Sequence, residues 1–249
     1  MRAPLVCLIA IAAIALGAAP ALAASNALAK IVDGACVPAA QAGGRPAPCA
    51  SVDLNGHFAI LKDLVGASQF LLIATSPDSG IESPDLEAAG TPNFFADAWA
   101  ARQNMDDKLG RAVPRDDIGL AINSVEGRSQ DRLHIHIDCV RADVAKAVAA
   151  DAGSIGTSWT AVPDGLLGHP YRAMRLASAD LAEVNVFALL AASLPPDDAK
   201  MGDQTLVAIA GKLPDGSDGF YLLTDHAGAT PDDHASGEEL LDHNCAILN

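Results

Sequence analysis

Residues 123–139 read N-S-V-E-G-R-S-Q-D-R-L-H-I-H-I-D-C, and this stretch decides the fold. Polar and apolar residues alternate strictly from residue 132 to residue 138, which predicts a half-buried β-strand. One face would carry Arg132, His134, His136 and Asp138, and the other Leu133, Ile135 and Ile137. Because residues two apart on a strand lie ~6.6 Å from each other, the two imidazoles can bind one small anionic group from the same side.

The turn before this strand, Gly127-Arg128-Ser129-Gln130, is rich in groups that bind anions. It supplies a guanidinium, a hydroxyl and an amide on a flexible backbone. Together with the two histidines, it predicts a phosphate site.

The elements around this stretch predict an α+β domain. Residues 117–123 should form the strand that pairs with residues 131–140. Hairpins are expected at residues 57–75, turning near Gly66, and at residues 204–224, turning at Asp215-Gly216. Short strands are expected at residues 158–162 and 171–177, and a long loop at residues 76–93. Helices are expected at residues 26–33, 94–109, 142–152, 178–192 and 236–243, and Ser178 should cap the fourth of them. Strands joined by short turns, with helices between the groups, favour an antiparallel sheet.

The N-terminus resembles a secretory leader. Arg2 is followed by an uncharged apolar run that ends in Ala21-Leu22-Ala23, an A-x-A cleavage site. The run is also close to the ~20 residues that a spanning helix needs. Residues 1–23 are therefore predicted to be either a cleaved signal peptide or a retained N-terminal membrane anchor. Both alternatives export residues 24–249.

Export makes the cysteines informative, since disulfides persist in oxidising compartments. Outside the leader there are four cysteines, which allow three pairings. Cys36 and Cys49 flank a Gly/Pro loop and should bridge each other. Cys139 would then pair with Cys245 and hold the C-terminal tail against the end of the histidine strand. The alternative is that these last two are free buried thiols.

The formal net charge of −15 limits the partners. There is no Lys/Arg cluster outside the predicted turn, which argues against nucleic-acid binding and against electrostatic adsorption to an anionic bilayer. A lipid substrate would have to be reached through a tether or a local apolar surface.

The motif resembles the histidine-triad superfamily of nucleotide hydrolases and transferases. That superfamily carries an Asn, a Gly-rich turn with a Ser, and alternating histidines on a strand; Asn123, Gly127, Ser129, His134 and His136 fall on this pattern. Arg132 stands where the first histidine of the triad is expected.

Within this superfamily, the chain from about Ile31 to the C-terminus is similar to the CDP-diacylglycerol pyrophosphatase family. The segments that carry the resemblance are Cys36-Val37-Pro38, Pro48-Cys49, Glu82-Ser83-Pro84, Thr91-Pro92-Asn93-Phe94-Phe95, the catalytic stretch with Cys139, Gly168-His169 and Asp242-His243-Asn244-Cys245. The resemblance implies a HIT-like fold over residues 24–249, with residues 204 onward as family-specific additions or a degenerate second half.

The resemblance also implies a reaction, the hydrolysis of CDP-diacylglycerol to CMP and phosphatidate in the cell envelope. The chain would act either at the inner membrane, with its catalytic domain on the periplasmic side, or in the periplasm. By this analogy His134 is the nucleophile and His136 binds the scissile phosphate. The residues implied to bind phosphate are Asn123, Arg128, Ser129, Gln130 and Arg132.

Two further histidines are secondary candidates. His169 lies in a Gly/Pro loop. His243 would be carried to the end of the strand if Cys139 bridges Cys245, with Asp242 orienting it; alternatively, it is a surface residue in the last turn of a helix.

A zinc site was weighed against this interpretation, because H-x-H with Asp138 can ligate zinc. A catalytic zinc needs a third ligand and an ordered second shell, and neither H-E-x-x-H nor a Cys pair is present. We therefore expect no metal site and no cofactor.

Two other functions remain open at this stage. One is a histidine-triad hydrolase or transferase that acts on soluble nucleotides. The other is a non-catalytic envelope protein that binds a nucleotide, which the missing first histidine favours. The sequence does not determine the oligomeric state.

Overall fold

The computed structural model of the chain describes residues 26–76, 79–195 and 200–249. Its strands are β1 Ser51–Asp53, β2 Phe58–Lys62, β3 Phe70–Ala74, β4 Ile118–Ile122, β5 His134–Val140, β6 Thr160–Ala161, β7 Arg172–Leu176, β8 Leu206–Lys212, β9 Asp218–Thr224 and β10 Leu241–Asp242. They form one sheet in the order β1-β2-β3-β5-β4-β8-β9-β7-β6, and β10 pairs with β5. These pairings are antiparallel, which confirms the predicted α+β class.

Six α-helices accompany the sheet in the described part of the chain. They are α1 Ala27–Ile31, α2 Val37–Gln41, α3 Phe94–Ala101, α4 Gln103–Leu109, α5 Ala142–Asp151 and α6 Val186–Ala191. A π-helical segment, Val32–Cys36, joins α1 to α2. The helix predicted over residues 26–33 therefore continues past Cys36, where a loop was expected.

The two faces of the sheet are covered differently. On one face, the apolar side chains of β5, such as Ile135 and Ile137, pack in a core with Phe95 of α3 and Phe187 of α6. On the other face, α1 and α2 cover β2 and β3, while α5 covers β4, β8 and β9. In the sheet, β5 lies between the strands covered by α1 and α2 and the strands covered by α5. The face of β5 that carries the histidines therefore lies in the gap between these two groups of helices.

Residues 204 onward belong to the middle of this sheet. Strand β8 pairs with β4, and the β8–β9 hairpin continues to β7. The turn predicted at Asp215-Gly216 is confirmed, with Gly216 at a φ of 83°, in the left-handed region that glycine adopts at no steric cost.

Three further predicted helices differ from the structure. Residues 94–109 form two helices, because the guanidinium of Arg102 donates a hydrogen bond to the carbonyl of Trp99, and a side chain that inserts into the backbone ladder breaks a helix. The helix expected from Ser178 begins only at Val186, since Leu181 has a φ of 64°, which a right-handed helix excludes.

The C-terminal helix predicted over residues 236–243 is also wrong. Residues Gly237–Leu240 form a 3₁₀ turn, and β10 follows it. Leu241 pairs with Val140 and Asp242 with Cys139. The end of β5 thus offers backbone hydrogen bonds that compete with a helix.

Both predicted disulfides are confirmed. Cys36 bridges Cys49, and Cys139 bridges Cys245. The second bridge joins β5 to the tail over a sequence separation of 106 residues. It therefore brings the last turn of the chain to the end of the histidine strand.

The predicted leader, residues 1–23, lies outside the residues that the structure describes. Within the described ranges, no helix has the length and the apolar character that a membrane span requires.

Candidate active site

The two strand histidines lie side by side on β5, with ring centroids 5.0 Å apart. They face the same side as Leu71 and Ile73, their pairing partners on β3. Only 6% of His134 and 4% of His136 is exposed. All of β5 is buried, so the prediction of a half-buried strand is wrong: the C-terminal segment covers the polar face as well.

The backbone sets the tautomer of His134. Nδ1 lies 2.7 Å from the carbonyl oxygen of Arg132. A carbonyl oxygen can only accept, so Nδ1 carries the proton of the neutral ring. Burial, reinforced by the neighbouring His136, lowers the pKa of His134 to about 4. The ring is therefore neutral at neutral pH, and Nε2 keeps the lone pair that a nucleophile requires.

The environment of His136 is different, because a carboxylate lies beside it. Nδ1 of His136 is 3.4 Å from Oε1 of Glu238, which is long for a hydrogen bond. Burial lowers the pKa of His136, and the charge of Glu238 opposes this effect. Both ring nitrogens are buried without a hydrogen-bond partner among the described residues. Such groups are uncommon in folded proteins, and ligand-binding sites are one place where they occur.

Glu238 is the carboxylate around which the site is built. Its backbone N–H donates to Oδ1 of Asn123 at 3.1 Å, and Nδ2 of Asn123 lies 3.4 Å from Oε2. Nε2 of His243 and Nε2 of Gln69 lie 3.3 and 3.4 Å from Oε1. Burial opposes the ionisation of Glu238, but the hydrogen bond and charge of His243 and the charge of His136 outweigh it and lower the pKa of Glu238 to about 2.

His243 connects this carboxylate to the end of β5. Its Nδ1 lies 2.8 Å from Oδ2 of Asp138, and hydrogen bonds to Asp138 and Glu238 raise the pKa of His243 to about 10. Asp138 is fully buried and also accepts a hydrogen bond from Ser68. The structure thus places His243 in the site, and the carboxylate that orients it is Asp138, two residues after His136, where the sequence suggested Asp242.

The turn before β5 is held by its own contacts. A Cβ on Gly127 would lie 2.8 Å from the carbonyl oxygen of His234 and 2.9 Å from that of Ala235, so only glycine fits between the turn and the C-terminal segment. Arg128 pairs with Glu82 and is almost buried. Ser129 is exposed.

Gln130 and Arg132 contact the N-terminal part of the chain. Oε1 of Gln130 accepts hydrogen bonds from the backbone N–H groups of Ala27 and Leu28, at 2.9 and 3.2 Å, at the start of α1. Arg132 pairs with Asp33, and its Nη1 donates to the carbonyls of Ala74 and Ser76. In this structure neither side chain joins the two histidines.

His169 lies in a second cluster. Its Nδ1 is 2.8 Å from Oδ2 of Asp233 and 3.7 Å from Oδ2 of Asp225. Burial and the adjacent Asp233 raise the pKa of Asp225 to about 7. The histidine is carried by a tight turn in which a Cβ on Gly165 would meet the carbonyl oxygen of His169.

Sequence reasoning missed Glu238, Gln69 and Ser68. These residues are far from the histidine strand in sequence, and their residue types are common on surfaces. The one usable signal was the Cys139–Cys245 pairing, which predicted that the tail reaches β5 but did not identify the side chains that come with it.

Fold and site together define an α+β protein with two buried imidazoles side by side on one strand, a side chain that some enzymes use as a nucleophile. The family whose sequence model matches residues 23–249 is described as CDP-diacylglycerol pyrophosphatase. A CDP-diacylglycerol pyrophosphatase from Yersinia pestis is 45% identical over 224 residues, which cover 90% of this chain and 85% of the relative.

The chain belongs to the CDP-diacylglycerol pyrophosphatase family. A solved DUF4931 family protein from Bacillus cereus is also similar, with 12% sequence identity and a TM-score of 0.41 over 72% of this chain and 84% of that chain. A similarity of this size carries no further conclusion about the site.

Proposed function

We propose that the chain performs the CDP-diacylglycerol pyrophosphatase reaction of its family through attack by Nε2 of His134 on phosphorus. The observation that carries this proposal is the 2.7 Å contact between Nδ1 of His134 and the carbonyl oxygen of Arg132. It fixes the proton on Nδ1, so the nucleophilic lone pair lies on the nitrogen that points away from the backbone.

In the first step, a bond forms between Nε2 and the phosphorus attached to cytidine, and the bond from that phosphorus to the bridging oxygen breaks. The electron pair leaves with phosphatidate. Since the second pKa of a phosphate monoester is about 6, this group departs with little help from an acid. In the second step, an oxygen of water bonds to the same phosphorus and the P–Nε2 bond breaks. The electron pair returns to Nε2, the water proton passes to solvent, and CMP and neutral His134 result.

His136 is proposed to hold the scissile phosphate. When an anionic phosphate contacts Nε2, its charge raises the pKa of His136 and favours the imidazolium form. The ring can then donate from Nδ1 to Glu238 and from Nε2 to a phosphate oxygen. This arrangement satisfies the two nitrogens that have no hydrogen-bond partner in the structure.

The second phosphate is proposed to meet the turn before β5. Arg128 is near enough to His134 for its positive charge to contribute to the lowered pKa of that histidine, and it can exchange Glu82 for a phosphate oxygen. Ser129 is exposed at the same turn. Asn123 contributes indirectly, by holding Glu238. Gln130 and Arg132 would have to leave their present partners to bind phosphate.

We place the protein in the cell envelope, either anchored in the inner membrane through residues 1–23 or in the periplasm after cleavage at Ala23. The two disulfides support an oxidising compartment. The strongly acidic charge disfavours simple adsorption to anionic lipid, so a retained anchor would explain how the enzyme reaches a lipid substrate.

The test is CMP release from CDP-diacylglycerol in detergent micelles by the full chain. His134→Ala should abolish release, whereas His226→Ala, at an exposed histidine, should leave it unchanged. Full turnover by His134→Ala would remove this residue from the mechanism. A water-soluble CDP ester assayed in parallel separates a lipid-nucleotide hydrolase from an enzyme for soluble nucleotides, and binding without product would indicate a nucleotide-binding protein.

A further inference from the structure

Three potential metal ligands meet outside the active site, between the loop of His169 and the segment that follows β9. Nδ1 of His169, one carboxylate oxygen of Asp225 and one of Asp233 all lie within 4.8 Å of one another. His169 is separated from Asp225 by 56 residues, so this cluster is a product of tertiary structure.

Both carboxylates are buried, and each is oriented by the backbone. The side chain of Asp225 is 0% exposed and that of Asp233 is 1% exposed. Oδ1 of Asp225 accepts a hydrogen bond from the backbone N–H of His226 at 2.8 Å, and Oδ1 of Asp233 accepts one from Ala235 at 2.8 Å. These bonds direct the two Oδ2 atoms toward the centre of the cluster.

None of the atoms that face the centre makes a well-aligned hydrogen bond within the described ranges: Nδ1 of His169 and the Oδ2 atoms of Asp225 and Asp233 are all buried. Nδ1 of His169 lies 2.8 Å from Oδ2 of Asp233, but the contact lacks the alignment of a hydrogen bond. Two ionised carboxylates carry two negative charges, whereas one imidazole carries at most one positive charge. Burying such charge is costly unless it is paired or coordinates a metal.

We propose that His169, Asp225 and Asp233 bind one divalent transition-metal cation, with Zn²⁺ as the best fit. Zinc accepts one imidazole nitrogen and two carboxylate oxygens at about 2.0–2.2 Å, so the cluster contracts slightly around the ion. The imidazole argues against Ca²⁺ and Mg²⁺, which prefer oxygen ligands alone.

The surroundings complete the site. Nε2 of His169 lies 3.9 Å from Oε2 of Glu239, and Oε1 of Glu239 accepts a hydrogen bond from Tyr171 at 2.8 Å. A carboxylate near the second ring nitrogen is the usual way to orient a metal-binding histidine. Asp225 also lines a groove of about 440 Å³, and His169 lines one of about 380 Å³, so the cluster lies next to two grooves.

The proposed ion has a structural role. It ties the His169 loop to the segment between residues 225 and 233, and that segment leads directly to Glu238 in the active site. The ion contacts neither His134 nor His136 and takes no part in the attack on phosphorus. Its binding can therefore be tested separately from catalysis.

The experiment is equilibrium dialysis of the full chain against Zn²⁺ at pH 7.5, after stripping with a chelator. We expect about one ion per wild-type chain, and a rise in the thermal midpoint on adding Zn²⁺, because a ligand that binds only the folded state stabilises it. His169→Ala and Asp233→Asn should lose both effects. His134→Ala and His226→Ala should keep both, which excludes the proposed nucleophile and an exposed histidine as the ligand.

Asp225→Asn keeps the size of the side chain, so the test can still be made with this variant if His169→Ala fails to fold. The visible spectrum of bound Co²⁺ reports the ligands directly: wild type and His134→Ala should give the same spectrum, and Asp225→Asn a changed or absent one. Absence of Zn²⁺ binding by the wild type, or equal binding by His169→Ala, would overturn the proposal and leave the histidine mechanism untouched.

Discussion

Nδ1 of His243 lies 2.8 Å from Oδ2 of Asp138, so a histidine six residues from the C-terminus is bonded to a buried carboxylate of the central strand. Its other nitrogen lies 3.3 Å from Glu238. Because Glu238 also lies beside His136, the tail forms a continuous polar connection from the end of β5 back to the proposed phosphate-binding histidine.

Removing this imidazole should destabilise the protein. His243→Ala leaves Asp138 buried without its cationic partner, and the loss of a hydrogen bond to a charged group is worth about 1.5–3 kcal/mol. Urea unfolding at pH 6 should show a decrease of that size, while His226→Ala should unfold like wild type. Equal stability of His243→Ala and wild type would show that the contact contributes nothing.

This contribution should depend on pH in a defined direction. The folded pKa of His243 is raised to about 10, above the ordinary value near 6.5. The stabilisation is therefore complete below about pH 6.5 and disappears as the pH rises through 10. The difference in unfolding free energy between wild type and His243→Ala should shrink from pH 6 to pH 10; a difference that grows over this range would contradict the assignment.

Neutralising the central carboxylate should impair turnover more than folding. Glu238→Gln keeps the backbone contact with Asn123 but removes the charge beside His136. An opposite charge this close shifts a pKa by about 1–3 units, so its loss should reduce the imidazolium fraction of His136, and with it kcat/KM, by about tenfold or more. Glu126→Gln is the matched control, because Glu126 is exposed. The measurement is kcat/KM for steady-state CMP release by both variants. An unchanged kcat/KM in Glu238→Gln would show that Glu238 has only a structural role.

The acid side of the pH–rate profile reports on the nucleophile. Since the pKa of His134 is lowered to about 4, the ring stays neutral on acidification, and kcat/KM should not fall between pH 7 and pH 5. For a nucleophile with an ordinary pKa near 6.5, the neutral fraction, and kcat/KM with it, would fall about fivefold between pH 6.5 and pH 5.5. A decline in kcat/KM centred near pH 6.5 would therefore argue against a buried neutral nucleophile.

The Cys139–Cys245 disulfide should support both stability and activity. It closes a loop with a sequence separation of 106 residues, and cross-links of this kind contribute about 2–5 kcal/mol. Cys139→Ala with Cys245→Ala should lower the thermal midpoint and reduce CMP release, because the tail carries His243. The matched pair, Cys36→Ala with Cys49→Ala, should affect stability with a smaller loss of activity. The reverse ranking of the two activities would contradict this role for the tail.

Sequence reasoning found the strands and the disulfides because their signals are local. Alternation of polar and apolar residues predicted β5, and the Asp215-Gly216 pair predicted the β8–β9 turn. The Gly/Pro loop between Cys36 and Cys49 predicted one disulfide, which left Cys139 and Cys245 for the other. Helix ends were less predictable. The break at Arg102 depends on its side chain bonding to the carbonyl of Trp99, three residues earlier, and the periodicity of apolar residues does not predict such a bond.

The polar half of the site was beyond such reasoning. A strict alternation predicts one solvated face, but the 3₁₀ turn Gly237–Leu240 lies over the histidines and supplies Glu238. Arg132 and Gln130 have side chains that can bind phosphate, but in the structure Arg132 pairs with Asp33 and Gln130 accepts a hydrogen bond from the start of α1. Whether a polar side chain binds a ligand or a neighbour depends on distant contacts that residue type alone does not encode.

The proposed mechanism requires that His134 becomes covalently bonded to the cytidylyl group. This bond can be detected by quenching the full chain during its first turnover of CDP-diacylglycerol, digesting it and mapping the adduct by mass. We expect one cytidylyl group on His134, absent from His134→Ala. CMP release without any such adduct on His134, or with the adduct on another residue, would contradict it.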